Sequence, residues 1–91
     1  MNTAELVEVL EFLSHRKIPL AYSVNLVCSV AGVKLQELAV EAGVGRNHLY
    51  QMLRGTRPVS VIMRLTFERR LGLDPWAIND LKSGARTNEE N

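Results

Sequence analysis

Hydrophobic and polar positions alternate along this chain with a period that changes from stretch to stretch. Near the start, Leu6, Val9, Leu10 and Leu13 share one face at helical spacing, while Glu5, Glu8 and Glu11 take the opposite side. Val7 and Phe12 sit on the flanks, beyond what a one-sided contact needs. They suit either an amphipathic helix lying on its own core or an added surface for a second protomer. Asn2 or Thr3 can cap this helix, with Glu5 placed to return the bond to Asn2. His15 complements the helix dipole at the far end, and Pro19 marks the break. Residues 20–31 read two ways. Tyr22, Val24, Leu26, Cys28 and Val30 alternate with Ser23, Asn25 and Ser29 as in a strand, with Val27 out of step. Read as a helix, the same segment is apolar nearly all round, which predicts burial on several sides.

From Leu35 the helical period returns in two short runs. Leu38 and Ala42 are four apart on one face, and Leu49, Met52 and Leu53 share a face of the second run. Gly43 stands between them, where a tight turn needs a residue free to take positive φ. Ala39 is small where two crossed helices come close, and Val44 plugs the corner. Such a pair, locked at a steep angle, is a helix-turn-helix whose second helix fits the DNA major groove. A loop follows at Gly55-Thr56-Arg57-Pro58. Ser60 can cap a helix running to Leu71, with Val61, Leu65 and Leu71 facing the core and Ile62 or Phe67 helping; Gly72 ends it. Asp74 is placed to cap a last helix that has Pro75 at its first position, with Trp76, Ile78 and Leu81 closing the core. The tail 85–91 is polar without an apolar anchor and is expected to be mobile.

The stretch from about Leu20 to Ile78 resembles the lambda-repressor/Cro-like (Xre-type) DNA-binding family. Leu38-Ala39, Gly43-Val44, Leu49 and Arg54-Gly55 fall where that family places its small, turn and core residues. Arg57-Pro58-Val59-Ser60 through Leu71-Gly72-Leu73 matches its next helix and closing glycine without a gap. Two positions depart from the pattern. Lys34-Leu35 stands where the family has Ser, Thr or Asn followed by Gln, and Gly45 stands where a hydroxyl residue is common. The segment before Ile18 has no counterpart. The resemblance implies an all-α fold, a compact bundle of five to six short helices. It would be a single helix-turn-helix domain over 1–84, with the motif at 35–54 and an extra N-terminal helix at 1–17. It also implies a helix at 20–31, which would sit between the acidic first helix and the motif.

Composition adds charge to this picture. The chain has 91 residues, 46% of them hydrophobic, and a net charge of only +1, which suits one small core. The distribution is uneven. Residues 1–15 hold three glutamates and no Lys or Arg. Between Val44 and Leu73, Arg46, Arg54, Arg57, Arg64, Arg69 and Arg70 stand against Glu68 alone. An acidic head thus precedes a basic middle that surrounds the motif. Arg64, Arg69 and Arg70 read as surface charges, with Arg69 or Arg70 pairing with Glu68. Cys28 is the single cysteine and reads as a small buried hydrophobe, in keeping with a reducing cytoplasm. No basic region precedes an apolar run at the N-terminus, so no signal peptide is expected. The charge-free stretch Ile18–Val33 is too short to span a membrane.

At about 100° per residue, Asn47, Tyr50, Gln51 and Arg54 point away from the apolar face of the second motif helix, with Arg46 and His48 at its edges. Asn and Gln can pair with adenine, Arg with guanine, and Tyr can pack on a thymine methyl. The family resemblance assigns base reading to Arg46, Asn47, Tyr50 and Gln51. Backbone contacts fall to Lys34, Gln36, His48, Arg54, Thr56 and Arg57, and to the free N–H groups at Gly45. No metal-ligand spacing, phosphate loop or nucleophile–base pair is evident, so neither cofactor, metal nor enzymatic activity is expected. The expected function is sequence-specific binding of double-stranded DNA by a cytoplasmic regulator. It would act most economically as a repressor, as a homodimer on an inverted repeat, with Val7 and Phe12 as candidate dimer contacts. The competing class is a protein-interaction module, an antitoxin or a polymerase-binding adaptor, working through Val7, Phe12 and the apolar 20–31 segment.

Overall fold

Six helices run through the residues that the computed structural model describes, 2–83, with side chains described to residue 80. They are α1 (Thr3–His15), α2 (Leu20–Ala31), α3 (Leu35–Ala42), α4 (Arg46–Arg54), α5 (Val61–Leu71) and α6 (Pro75–Ser83). The structure is all-α, and no strand occurs among the described residues. The side chain of Leu81 and the tail 85–91 lie outside them.

Local chemistry sets most helix boundaries. The Asn2 side chain accepts from the Glu5 N–H at 2.9 Å, and the Asn2 N–H donates to Glu5 Oε1 at 2.9 Å, closing a reciprocal cap on α1. Ser60 Oγ accepts from the Met63 N–H at 3.2 Å to start α5. Asp74 Oδ1 accepts from the N–H groups of Trp76 and Ala77 at 3.1 and 3.3 Å to start α6, with Pro75 losing nothing at the first position. The turn after α3 needs φ of +74° at Gly43, a left-handed conformation that costs other residues free energy.

Residues 20–31 are helical, because Val27, out of step for a strand, packs in the interior beside Val24 and Cys28. α2 lies against α1, α4 and α6, between the acidic head and the motif as expected. It is not buried all round, however. Tyr22, Leu26 and Val30, spaced four apart, remain 71%, 47% and 46% exposed. α5 departs from expectation too. Its inward face is Met63, Thr66, Phe67 and Leu71, while Val61, Leu65 and Ile62 face out. Both candidate stripes have helical spacing, and with apolar side chains on either side of α5 periodicity alone could not choose. The stripe with Met63 and Phe67 wins because it joins the core cluster shared with α4 and α6, where Phe67 meets Trp76 edge to face.

The centre of the core joins distant parts of the chain. Phe67 and Trp76 meet edge to face, with centroids 5.0 Å apart and planes at 87°. The Trp76 indole N–H donates to the Met52 carbonyl at 3.0 Å, tying α6 to the last turn of α4. Each fully buried side chain of this size contributes about 1.5–3 kcal/mol. α1 packs chiefly on α6 and α2. Its buried Ser14 donates through Oγ to Asn79 Oδ1 at 3.0 Å. Val7, a candidate for a second protomer, instead packs partly against this core. Phe12 stands out at 59% exposure, with the Arg16 guanidinium 5.4 Å from its ring centroid. No single helix among the described residues is long and apolar enough to cross a membrane, and α2 and α3 meet at 100°.

Candidate nucleic-acid interface

α3 and α4 are joined by the turn Gly43-Val44-Gly45, and their packing follows from a few apolar residues. Leu38 and Ala39 of α3 and Leu49, Met52 and Leu53 of α4 are all buried. Val44 packs partly against the same core. With Leu49, Met52 and Leu53 turned inward, the rest of α4 must face out. Arg46, Asn47 and Arg54 are exposed, and His48, Tyr50 and Gln51 are half-buried. Tyr50 rests partly on the core, so its ring is braced while the other side of α4 stays open.

Several of the expected contact residues come together. A groove of about 330 Å³ between the starts of α3 and α4 is lined by Lys34, Gln36, Arg46 and Tyr50 above Leu35 and Leu49. Neither helix has a side-chain cap at its N-terminus: Lys34 and Gly45 occupy those positions without a capping bond. The first amides of α4 therefore point outward beside this groove, where a helix dipole favours an anion. At the other end of α4 the chain folds back on itself. The Gln51 carbonyl accepts from the N–H groups of Thr56 and Arg57 at 3.0 and 3.3 Å and from Thr56 Oγ1 at 3.2 Å. The Thr56 hydroxyl proton thus serves the turn rather than a ligand. Arg57 projects from the same turn, exposed.

The arginines divide into two sets. Arg69 Nη2 lies 2.8 Å from Glu41 Oε2, and Arg70 Nη1 lies 2.6 Å from Glu41 Oε1. Arg70 also reaches Glu37 at 3.8 Å, and Arg64 Nε is 3.5 Å from Asp74. The pairing expected with Glu68 does not form, because α5 packs along α3 and brings the glutamates of that helix closer. Hydrogen bonds from Arg69 and Arg70 hold the Glu41 carboxyl below its usual pKa. Arg46, Arg54 and Arg57 have no acidic partner among the described residues. Among the described residues, the basic middle of the sequence is therefore neutralised along α5 and left unpaired at both ends of α4. Glu37 and Glu41 were the residues that the sequence reading missed. The available signal was their spacing, four apart on one face of α3 with no basic partner on that helix.

No group of three His, Cys, Asp or Glu side chains among the described residues converges to hold a metal ion. Cys28 is buried in α2, and burial pushes its thiol up to about 11. No family model matches the chain, and neither a curated protein nor a solved structure matches it.

Proposed function

We propose that this protein binds double-stranded DNA sequence-specifically, with α4 entering the major groove as the recognition helix of a helix-turn-helix. The observation that carries the reading is the division of the arginines. Arg46, Arg54 and Arg57 flank the open face of α4 without acidic partners among the described residues, while Arg64, Arg69 and Arg70 are held by carboxylates. A surface that leaves cations unpaired around amide side chains suits a polyanion with readable edges. In this proposal Asn47 and Gln51 read bases, Tyr50 packs against a base edge, and Arg46 serves either bases or phosphate. Lys34, Gln36, Arg57 and the open amides at the start of α4 hold the sugar-phosphate backbone and set the register. One such helix reads few base pairs, so the working unit is a dimer on two half-sites about 34 Å apart. A small cytoplasmic chain of this kind represses by occluding a promoter.

The test begins with selection of bound sequences from a random duplex pool, which yields the site and its symmetry together. On the selected site Gln51→Ala should cost about 1–3 kcal/mol and on random DNA little. Equal losses on both remove Gln51 from base reading. A protein that only engages other proteins yields no enriched sequence and no salt-sensitive complex in a gel shift.

A further inference from the structure

The outer face of α2 is left uncovered by the other described residues, and it carries an exposed apolar stripe. Tyr22, Leu26 and Val30 form a stripe along it, and Ile18 extends the stripe at one end. A groove of about 450 Å³ lies alongside, lined by Leu13, Ile18, Pro19, Tyr22 and Leu26. Leu13 of α1 lines that groove and so brings the edge of α1 to the same stripe. Ile18, Tyr22, Leu26 and Val30 together expose roughly 350 Å² of mostly apolar surface, enough to mark an interaction site.

We propose that this face joins two copies of the chain, with a two-fold axis passing beside Leu26. Three features select a second copy as the occupant. First, no charged residue occurs from Ile18 to Val33. Two such faces meet without like-charge repulsion, and a charged partner finds nothing on the stripe to pair with. Second, the stripe is self-complementary about its middle. In an antiparallel α2 pair Leu26 meets its own counterpart, and bulky Tyr22 falls opposite the smaller Val30 of the partner subunit. The adjoining groove supplies the hole for side chains from that copy. Third, the stripe supplies a little under half of the roughly 800 Å² per partner of a standard interface, as its apolar centre inside a polar rim. Asn25 and Ser29, both exposed on α2, furnish that rim. A patch of this size makes a reversible dimer that dissociates on dilution. The other outward apolar group, Val61, Ile62 and Leu65, has Arg64 and Glu68 within the same two turns and lacks this uncharged continuity.

The assignment rests on the dimeric form of the proposed function, but its test contains no DNA, so either can fail alone. Sedimentation velocity of the full chain from low micromolar to sub-millimolar concentration should show the mass rising toward twice the monomer. Tyr22→Lys, at the most exposed position of the stripe, should hold the chain monomeric throughout with an unchanged circular dichroism spectrum. Under mild oxidation Leu26→Cys should give a covalent dimer, whereas Val61→Cys should not, and buried Cys28 should stay reduced in both. A wild-type chain that remains monomeric at every concentration overturns the proposal. So does a dimer that survives Tyr22→Lys, or cross-linking through Val61→Cys as efficient as through Leu26→Cys.

Discussion

Replacing Arg57 by alanine separates an arginine that meets DNA from one that belongs to the fold. Arg57 is exposed in the turn after α4 and has no acidic partner among the described residues, whereas Arg69 is bonded to Glu41 at 2.8 Å. A phosphate contact releases close to one counterion, so the logarithmic salt slope should fall in magnitude by about 0.9 in Arg57→Ala. Between 50 and 200 mM salt, that difference makes the variant's loss of affinity roughly 3- to 4-fold smaller than the wild type's. Selected and random duplexes should be affected alike, because a phosphate contact carries no sequence information. Arg69→Ala should leave the slope unchanged, since its charge is already balanced by Glu41. Fluorescence anisotropy with a labelled duplex at four or five salt concentrations measures both slopes. Removing Arg57 from the surface should alter thermal stability by less than about 0.5 kcal/mol, so a folding defect would not confuse the readout. If Arg69→Ala lowers the slope as much as Arg57→Ala, or neither does, the division of the arginines does not mark the DNA-binding face.

Three further expectations concern the fold. Trp76→Phe keeps a ring against Phe67 but removes the indole donor from the Met52 carbonyl, which still accepts from the Gly55 N–H, and should destabilise the chain by about 0.5–1.5 kcal/mol in urea titration. Circular dichroism must follow the transition, because Trp76 is the single tryptophan; an unchanged midpoint would mean that the bond contributes nothing. Gly72→Ala meets two obstacles, φ of +80° and a Cβ placed 2.9 Å from Thr3 Oγ1, and should cost more than about 1 kcal/mol. Adding Thr3→Ala should recover the steric part and leave the backbone part, and full additivity of the two changes would deny the contact. Glu41 has its pKa lowered from 4.5 by Arg69 and Arg70, so its contribution to stability is present above that value and is lost as pH falls through the lower, folded one. Glu41→Gln should therefore flatten the acid limb of a plot of melting temperature against pH; an unchanged acid limb would assign that limb to other carboxylates.

Much of this protein was legible in one dimension because the relevant forces are local. Asn2, Ser60 and Asp74 cap helices through bonds spanning two or three residues, and Gly43 turns the chain through its own φ. Burial of Leu49, Met52 and Leu53 follows from spacing on one helix, and the outward set on α4 follows with it. Only the tertiary structure decided matters that depend on which helices meet. Val61, Leu65 and Phe67 offered α5 more than one apolar stripe, and contact with Trp76 in the shared core selected the one containing Phe67. The burial of Ser14 depends on Asn79, far along the chain, whose Oδ1 accepts from its hydroxyl at 3.0 Å. The sequence set Arg64, Arg69 and Arg70 apart as surface charges and offered Glu68, beside them along the chain, as a partner. Packing of α5 on α3 gave Arg69 and Arg70 to Glu41 instead, because Coulomb attraction falls with distance in space and takes no account of separation along the chain.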